Sequence, residues 1–248
     1  MSSISAEKTK SVLIIDDAHK VIFDDFRNVK LDEKADLIFA DPPFGIGFKS
    51  NLQTYNRDED SISYVEVPPK EYSSFINSLL SLSKKALTDD GSMYIFSSWN
   101  NLKSVLNEID HVGFHILNHI IWKYQFGVYT KRKFVTSHYH ILLLVKNPKN
   151  YVFNKQKDYD EDVWIFKRKY NFKTKTAGNE LPTELVKKCV LTSSNKGDLI
   201  LDPVLGSGTT IKACIETERP CIGIELNKDL AKRIKEKCGQ KQITYINT

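Results

Sequence analysis

Short apolar runs alternate with amphipathic stretches along most of this chain. Ser11-Val12-Leu13-Ile14-Ile15 reads as a strand ending at Asp16-Asp17, and a weak helix is expected from about His19 to Val29. Leu37-Ile38-Phe39-Ala40 is short, continuously apolar and stopped by two prolines, the pattern of a buried strand. From Lys70 to Leu87 apolar residues recur at helical spacing, and Asp89-Asp90-Gly91 closes that helix. Ser92 to Ser97 predicts a strand, Leu102 to Ile109 a helix closed near Gly113, and Ile116 to Trp122 and Tyr139 to Val145 two more strands. Leu181 to Leu191 reads as a helix, Leu199-Ile200-Leu201 as a strand, and Ile211 to Ile215 as a helix start. Cys221-Ile222-Gly223-Ile224 is a strand ending at Glu225, followed by a helix from about Asp229 to Lys237.

This alternation predicts an α/β fold with a mostly parallel sheet covered on both faces. Two segments break it. Residues 48–69 are polar and end at Pro68-Pro69, a loop long enough to serve as a lid or binding loop. Across residues 123–178 lysine and arginine interleave with aromatics, as in Lys131-Arg132-Lys133-Phe134 and in Phe166-Lys167-Arg168-Lys169-Tyr170. That texture marks an insertion in a single 248-residue domain, and it suits a polyanion.

The apolar fraction of 41% supports a real core and excludes disorder, while the net charge of +5 is too modest to decide a partner by itself. Four cysteines without paired spacing read as reduced core residues of a cytosolic protein. No apolar run approaches membrane-spanning length, and the first ten residues lack a signal core. His111, His115 and His119 straddle Gly113 without a carboxylate or cysteine set, so no metal site is expected.

Two loops carry candidate chemistry. Asp41-Pro42-Pro43-Phe44 places a carboxylate and a ring on a stiff loop at the carboxyl end of a buried strand, the edge where open α/β sheets bind ligands. Asp202-Pro203-Val204-Leu205-Gly206-Ser207-Gly208-Thr209-Thr210 is a glycine turn running into a helix, and Glu225 ends the next strand. An acid there suits ribose hydroxyls. The turn matches neither GxGxxG nor a Walker motif, so a ligand with a ribose and no phosphate fits better than NAD or ATP.

Together these segments resemble the amino-group DNA methyltransferases that use S-adenosylmethionine. The order, target loop first and cofactor loop last, is similar to their circularly permuted β class. Asp17 resembles the acid of the family's N-terminal Gly-Asp signature, Leu87 to Phe96 its glycine-and-strand segment, and Trp122-Lys123 a further motif. Leu181-Pro182-Thr183-Glu184-Leu185 resembles the helix before the cofactor strand. The chain departs from the family in having Val204 for a usual Phe, and Leu181-Pro182 where Lys-Pro is common.

The resemblance implies a Rossmann-like methyltransferase fold with an inserted recognition region. It implies methyl transfer from S-adenosylmethionine to N6 of adenine in double-stranded DNA, with N4 of cytosine or a non-catalytic nucleic-acid-binding relative as alternatives. Asp41, Pro42, Pro43 and Phe44 would be catalytic. Asp17, Asp202, Pro203, Gly206, Ser207, Gly208, Thr209 and Glu225 would hold the cofactor. Lys131, Arg132, Lys133, Lys167, Arg168 and Lys169 would meet DNA. A homodimer, a cognate restriction endonuclease and a cytoplasmic, nucleoid-associated location follow from the same likeness.

Overall fold

The computed structural model describes residues 11–45, 67–125, 127, 129–168, 180–239 and 244–247. These form one sheet of ten strands with helices on both faces. The strands are β1 (Ser11–Ile14), β2 (His19–Phe23), β3 (Ala35–Ala40), β4 (Leu87–Ser97), β5 (His115–Lys123), β6 (His138–Val145), β7 (Val163–Ile165), β8 (Ile200–Asp202), β9 (Cys221–Glu225) and β10 (Thr244–Asn247). The helices are α1 (Tyr72–Ala86), α2 (Leu102–Val112), α3 (Thr183–Ser193), α4 (Thr209–Thr217) and α5 (Ala231–Lys237).

The spatial order is β10-β1-β2-β9-β8-β3-β4-β6-β5-β7. From β2 to β4 every neighbour is parallel, and β6 runs antiparallel to both β4 and β5. The central strands are apolar on both sides because both sides are covered. Leu37, Phe39, Tyr94 and Phe96 pack in the cluster that holds buried residues of α3, α4 and α5. Ile38, Ala40, Met93 and Ile95 face the other way, into the cluster of α1 and α2.

Two expectations fail in informative places. The helix expected over His19–Val29 is instead strand β2, followed by a short 3-10 turn at Phe26–Asn28. Val21 and Phe23 are buried at alternate positions, and β2 pairs in parallel with β9 about two hundred residues later, so tertiary pairing decides its conformation. Strand β10, beyond the last expected helix, pairs antiparallel with β1. Asp89-Asp90-Gly91 does not separate α1 from a later strand, because β4 already begins at Leu87 and these residues sit in an irregularity of its pairing with β3. The loop expected as a lid lies mostly outside the described residues, which resume at Val67. The inserted region contributes β7 to the sheet itself, in parallel with β5, so it extends the same sheet. Among the described residues, no helix is long and apolar enough to cross a membrane.

Candidate active site

Strands β3 and β8 are parallel neighbours, with Ile38 opposite Leu201, so the two motif loops leave the same rim of the sheet side by side. Asp202 ends β8 almost fully buried. It accepts from the Thr210 hydroxyl at 2.6 Å and from the Val204 amide at 3.0 Å. Burial pushes its pKa up to about 7 against those bonds, and the charge of Glu225 adds to the rise. Asp41 follows β3 directly. Its carboxyl is enclosed, and burial, then the charge of Asp202, raise its pKa to about 7, while the positive charge of Arg168 opposes the shift. Glu225 ends β9, the next strand over. It accepts from the Gly206 amide and the Asn227 amide, each at 2.7 Å, and burial raises its pKa too.

The turn between β8 and α4 needs its glycines. Gly206 and Gly208 have φ of 58° and 84°, which side chains rarely adopt, and a Cβ on Gly208 would come within 3.2 Å of Ile234. The Leu205 amide donates to the Ile224 carbonyl at 2.9 Å and pins the turn to β9. Pro203 and Thr209 are buried, and Ser207 is partly so.

On the other side of Asp41, Pro42 is buried and Pro43 and Phe44 are half-buried. The side-chain amide of Asn101 donates to the Phe44 carbonyl. The Phe44 ring lies 5.1 Å from that of Tyr139, the start of an aromatic wall in which Tyr139 meets Trp122 at 5.6 Å and Tyr124 at 5.5 Å. The Arg168 guanidinium covers that wall, 4.9 Å from the centre of Tyr124 and 5.3 Å from that of Tyr139. Its backbone is clamped by Gln125, whose amide accepts from the Arg168 N–H at 2.8 Å and donates to its carbonyl at 3.1 Å.

The expected DNA-contacting residues therefore divide. Lys131, Arg132, Lys133 and Lys167 are exposed. Arg168 turns inward over Tyr124 and Tyr139, where its charge reaches Asp41, and Lys169 lies outside the described residues. Asp17 is a correction. It is exposed in the β1–β2 turn, and His19, the first residue of β2, pairs with Cys221, the first residue of β9, whereas Glu225 is the last. Asp17 thus stands on the opposite rim, roughly 13 Å along the strand. The acids that do reach the Glu225 rim are Asp24 and Asp25, because Phe23 pairs with Glu225. Asp25 accepts from the backbone and side chain of Arg27 at 2.9 and 2.8 Å. Alternation at Val21 and Phe23 was the available signal.

One buried and two half-buried carboxylates with raised pKa values beside a glycine turn fit a cationic nucleoside, and the neighbouring aromatic wall fits a base. A sheet of this order, with these loops on adjacent central strands, defines a Rossmann-like methyltransferase in permuted order. The chain belongs to the N6/N4 DNA methylase family, whose model matches residues 35–236 and so spans both loops. S-adenosylmethionine is the methyl donor of that class.

Among relatives, the type II methyltransferase M2.DpnII of Streptococcus pneumoniae is 31% identical over 246 residues, covering 91% of this chain and 88% of that one. The DNA adenine methyltransferase YhdJ of Escherichia coli (strain K12) is 30% identical over 233 residues, covering 81% and 74%. The crystal structure of M1.HpyAVI in complex with S-adenosylmethionine shares the fold, with a TM-score of 0.66 at 23% identity over 84% of this chain and 91% of that one.

Proposed function

We propose that this chain methylates N6 of adenine in double-stranded DNA. The observation that carries the reading is the convergence of Asp41, Asp202 and Glu225 on three adjacent strand ends, next to Phe44 and Tyr139. When bound, S-adenosylmethionine supplies a methyl group on a sulfonium cation, which the exocyclic nitrogen of the base takes as the carbon–sulfur bond breaks. Asp202, Pro203 and the turn Gly206-Ser207-Gly208-Thr209 hold the methionyl end, and Glu225 the ribose hydroxyls. Asp24 or Asp25, in place of Asp17, serves the nucleoside end.

Asp41 accepts one N–H of the amine and the Pro42 carbonyl the other. Both favour a pyramidal nitrogen and stabilise its growing positive charge. Pro43 stiffens the loop. A carboxyl with a pKa near 7 also suits acceptance of the proton the nitrogen sheds and its release to water. Phe44, backed by Tyr139, stacks on a base that has left the duplex. Lys131, Arg132, Lys133 and Lys167 meet phosphates, and Arg168 works at the mouth of the site.

The name of YhdJ, a DNA adenine methyltransferase, supports adenine as the target, and a cognate restriction endonuclease is proposed from the likeness to M2.DpnII, a type II methyltransferase. A homodimer is checked by light scattering. The deciding experiment incubates the protein with duplex DNA and labelled cofactor, then digests the product to nucleosides. N6-methyldeoxyadenosine is expected. N4-methyldeoxycytidine would overturn the choice of base, and cofactor binding without incorporation into any DNA would overturn catalysis.

A further inference from the structure

The glycine turn is backed by an ionic group that none of its sequence motifs contains. Lys237, at the end of α5, donates to the hydroxyl oxygens of Ser207 at 2.7 Å and Thr209 at 3.0 Å, and lies 3.2 Å from Glu180. Arg233, one turn earlier on the same face, pairs with Glu180 at 2.7 Å. Burial pushes the Glu180 carboxyl up, but the charges of Lys237 and Arg233, with a bond to Ser207, hold it below its ordinary range. Both cations thus meet the one carboxylate of Glu180. Leu181, next to Glu180, is buried in the core, and the cations that meet Glu180 come from α5.

We propose that Lys237 is a positioning residue for the carboxylate of the cofactor's zwitterionic methionyl end, acting through Thr209, while the Ser207 hydroxyl donates to Glu180. This rests on the methyl-transfer reading above. An ammonium that donates to a hydroxyl oxygen fixes that oxygen as an acceptor and leaves the hydroxyl hydrogen for another partner. At Thr209, the first residue of α4, that hydrogen joins the helix's free N–H groups and the positive end of its dipole, a set suited to a carboxylate. Lysine is flexible by itself, and Glu180, anchored by Arg233, holds it in place. The device sets an ammonium behind one end of a site whose other walls are acidic. It thereby orients a ligand that carries a carboxylate at one end and a sulfonium further in.

The test is calorimetry of the full chain and its Lys237→Met and Lys237→Arg forms with two ligands. S-adenosylhomocysteine carries the carboxylate; 5′-methylthioadenosine shares the nucleoside and sulfur and lacks it. Lys237→Met should weaken S-adenosylhomocysteine about tenfold, the scale of removing a charge-assisted hydrogen bond, and leave 5′-methylthioadenosine unchanged. Lys237→Arg should restore most of the difference. Equal weakening of both ligands would mean a misshapen turn and overturn the inference, as would unaltered binding of S-adenosylhomocysteine. If the unaltered chain binds neither ligand, the methyl-transfer reading falls and the inference with it, a result distinct from failure of the variant alone.

Discussion

Asp41 follows one central strand and Asp202 ends the strand beside it, so that burial and then the second carboxylate's charge push the first to a pKa of about 7. Burial holds Asp202 near the same value. Two such groups share a neutral-pH proton inventory that a cationic ligand must alter. The positive charge of S-adenosylmethionine lowers both pKa values, so binding at pH 7 should release about one proton in total. Affinity should rise with pH up to the region of pH 7 and then level off, because only the ionised carboxylates attract the cation. Calorimetry in buffers of different ionisation heat measures the release. A binding heat independent of buffer would contradict it.

Replacing Asp41 with Ala should leave S-adenosylhomocysteine affinity within a few-fold of the original and lower turnover by about 10²–10³-fold or more, as loss of a transition-state acceptor does. Single-turnover methylation beside equilibrium binding separates the two effects. Parallel loss of both would assign Asp41 to the fold.

Arg168→Gln removes the charge that opposes the rise at Asp41 and the cation stacked on Tyr124 and Tyr139. The acidic limb of the rate profile should move to higher pH, and the methylation rate at pH 7 should fall by roughly tenfold, on the scale of one cation–π interaction plus the altered charge. An unshifted profile would place Arg168 outside the catalytic rim.

Charge reversal at Lys131, Arg132 and Lys133 should act differently, since these side chains are exposed. DNA affinity should drop while its dependence on salt becomes shallower, by about 0.9 in the log–log slope for each phosphate no longer neutralised. Filter binding across salt concentrations reports both, and an unchanged slope would assign phosphate neutralisation to other residues.

Lys84 supplies a purely structural contrast. Its ammonium donates to the carbonyls of Val112 and Gly113 at 2.8 and 2.7 Å, tying α1 to the end of α2. Lys84→Met should cost about 1–2 kcal/mol and lower the melting temperature by roughly 2–8 °C, with kinetic constants unchanged.

The catalytic rim was legible where its strands are central. Leu37 to Ala40, and Ile200 with Leu201, are buried on both faces, so they read as unbroken apolar runs, and each loop that follows carries its motif within a few residues. What could not be read depends on partners distant in sequence. His19 and Lys20 begin β2 with polar residues, and only pairing with β9 makes that segment a strand and places Asp24 and Asp25, not Asp17, on the Glu225 rim. The inward turn of Arg168 requires Tyr124 and Tyr139, and the task of Lys237 requires Ser207, thirty residues earlier. An interleaved run of cations and rings looks the same whether it faces solvent or an active site.

Ser11 pairs with Asn247 on antiparallel neighbours, so the two ends of the described polypeptide lie side by side. A short linker would join them, and a new opening on the surface between α2 and β5 would hand the ribosome the glycine-turn half before the Asp41 half. The same ten-stranded sheet would still have to assemble from that re-cut thread. Motif order along the gene is then a choice of where to open a closed path, and the chemistry at the rim is indifferent to it.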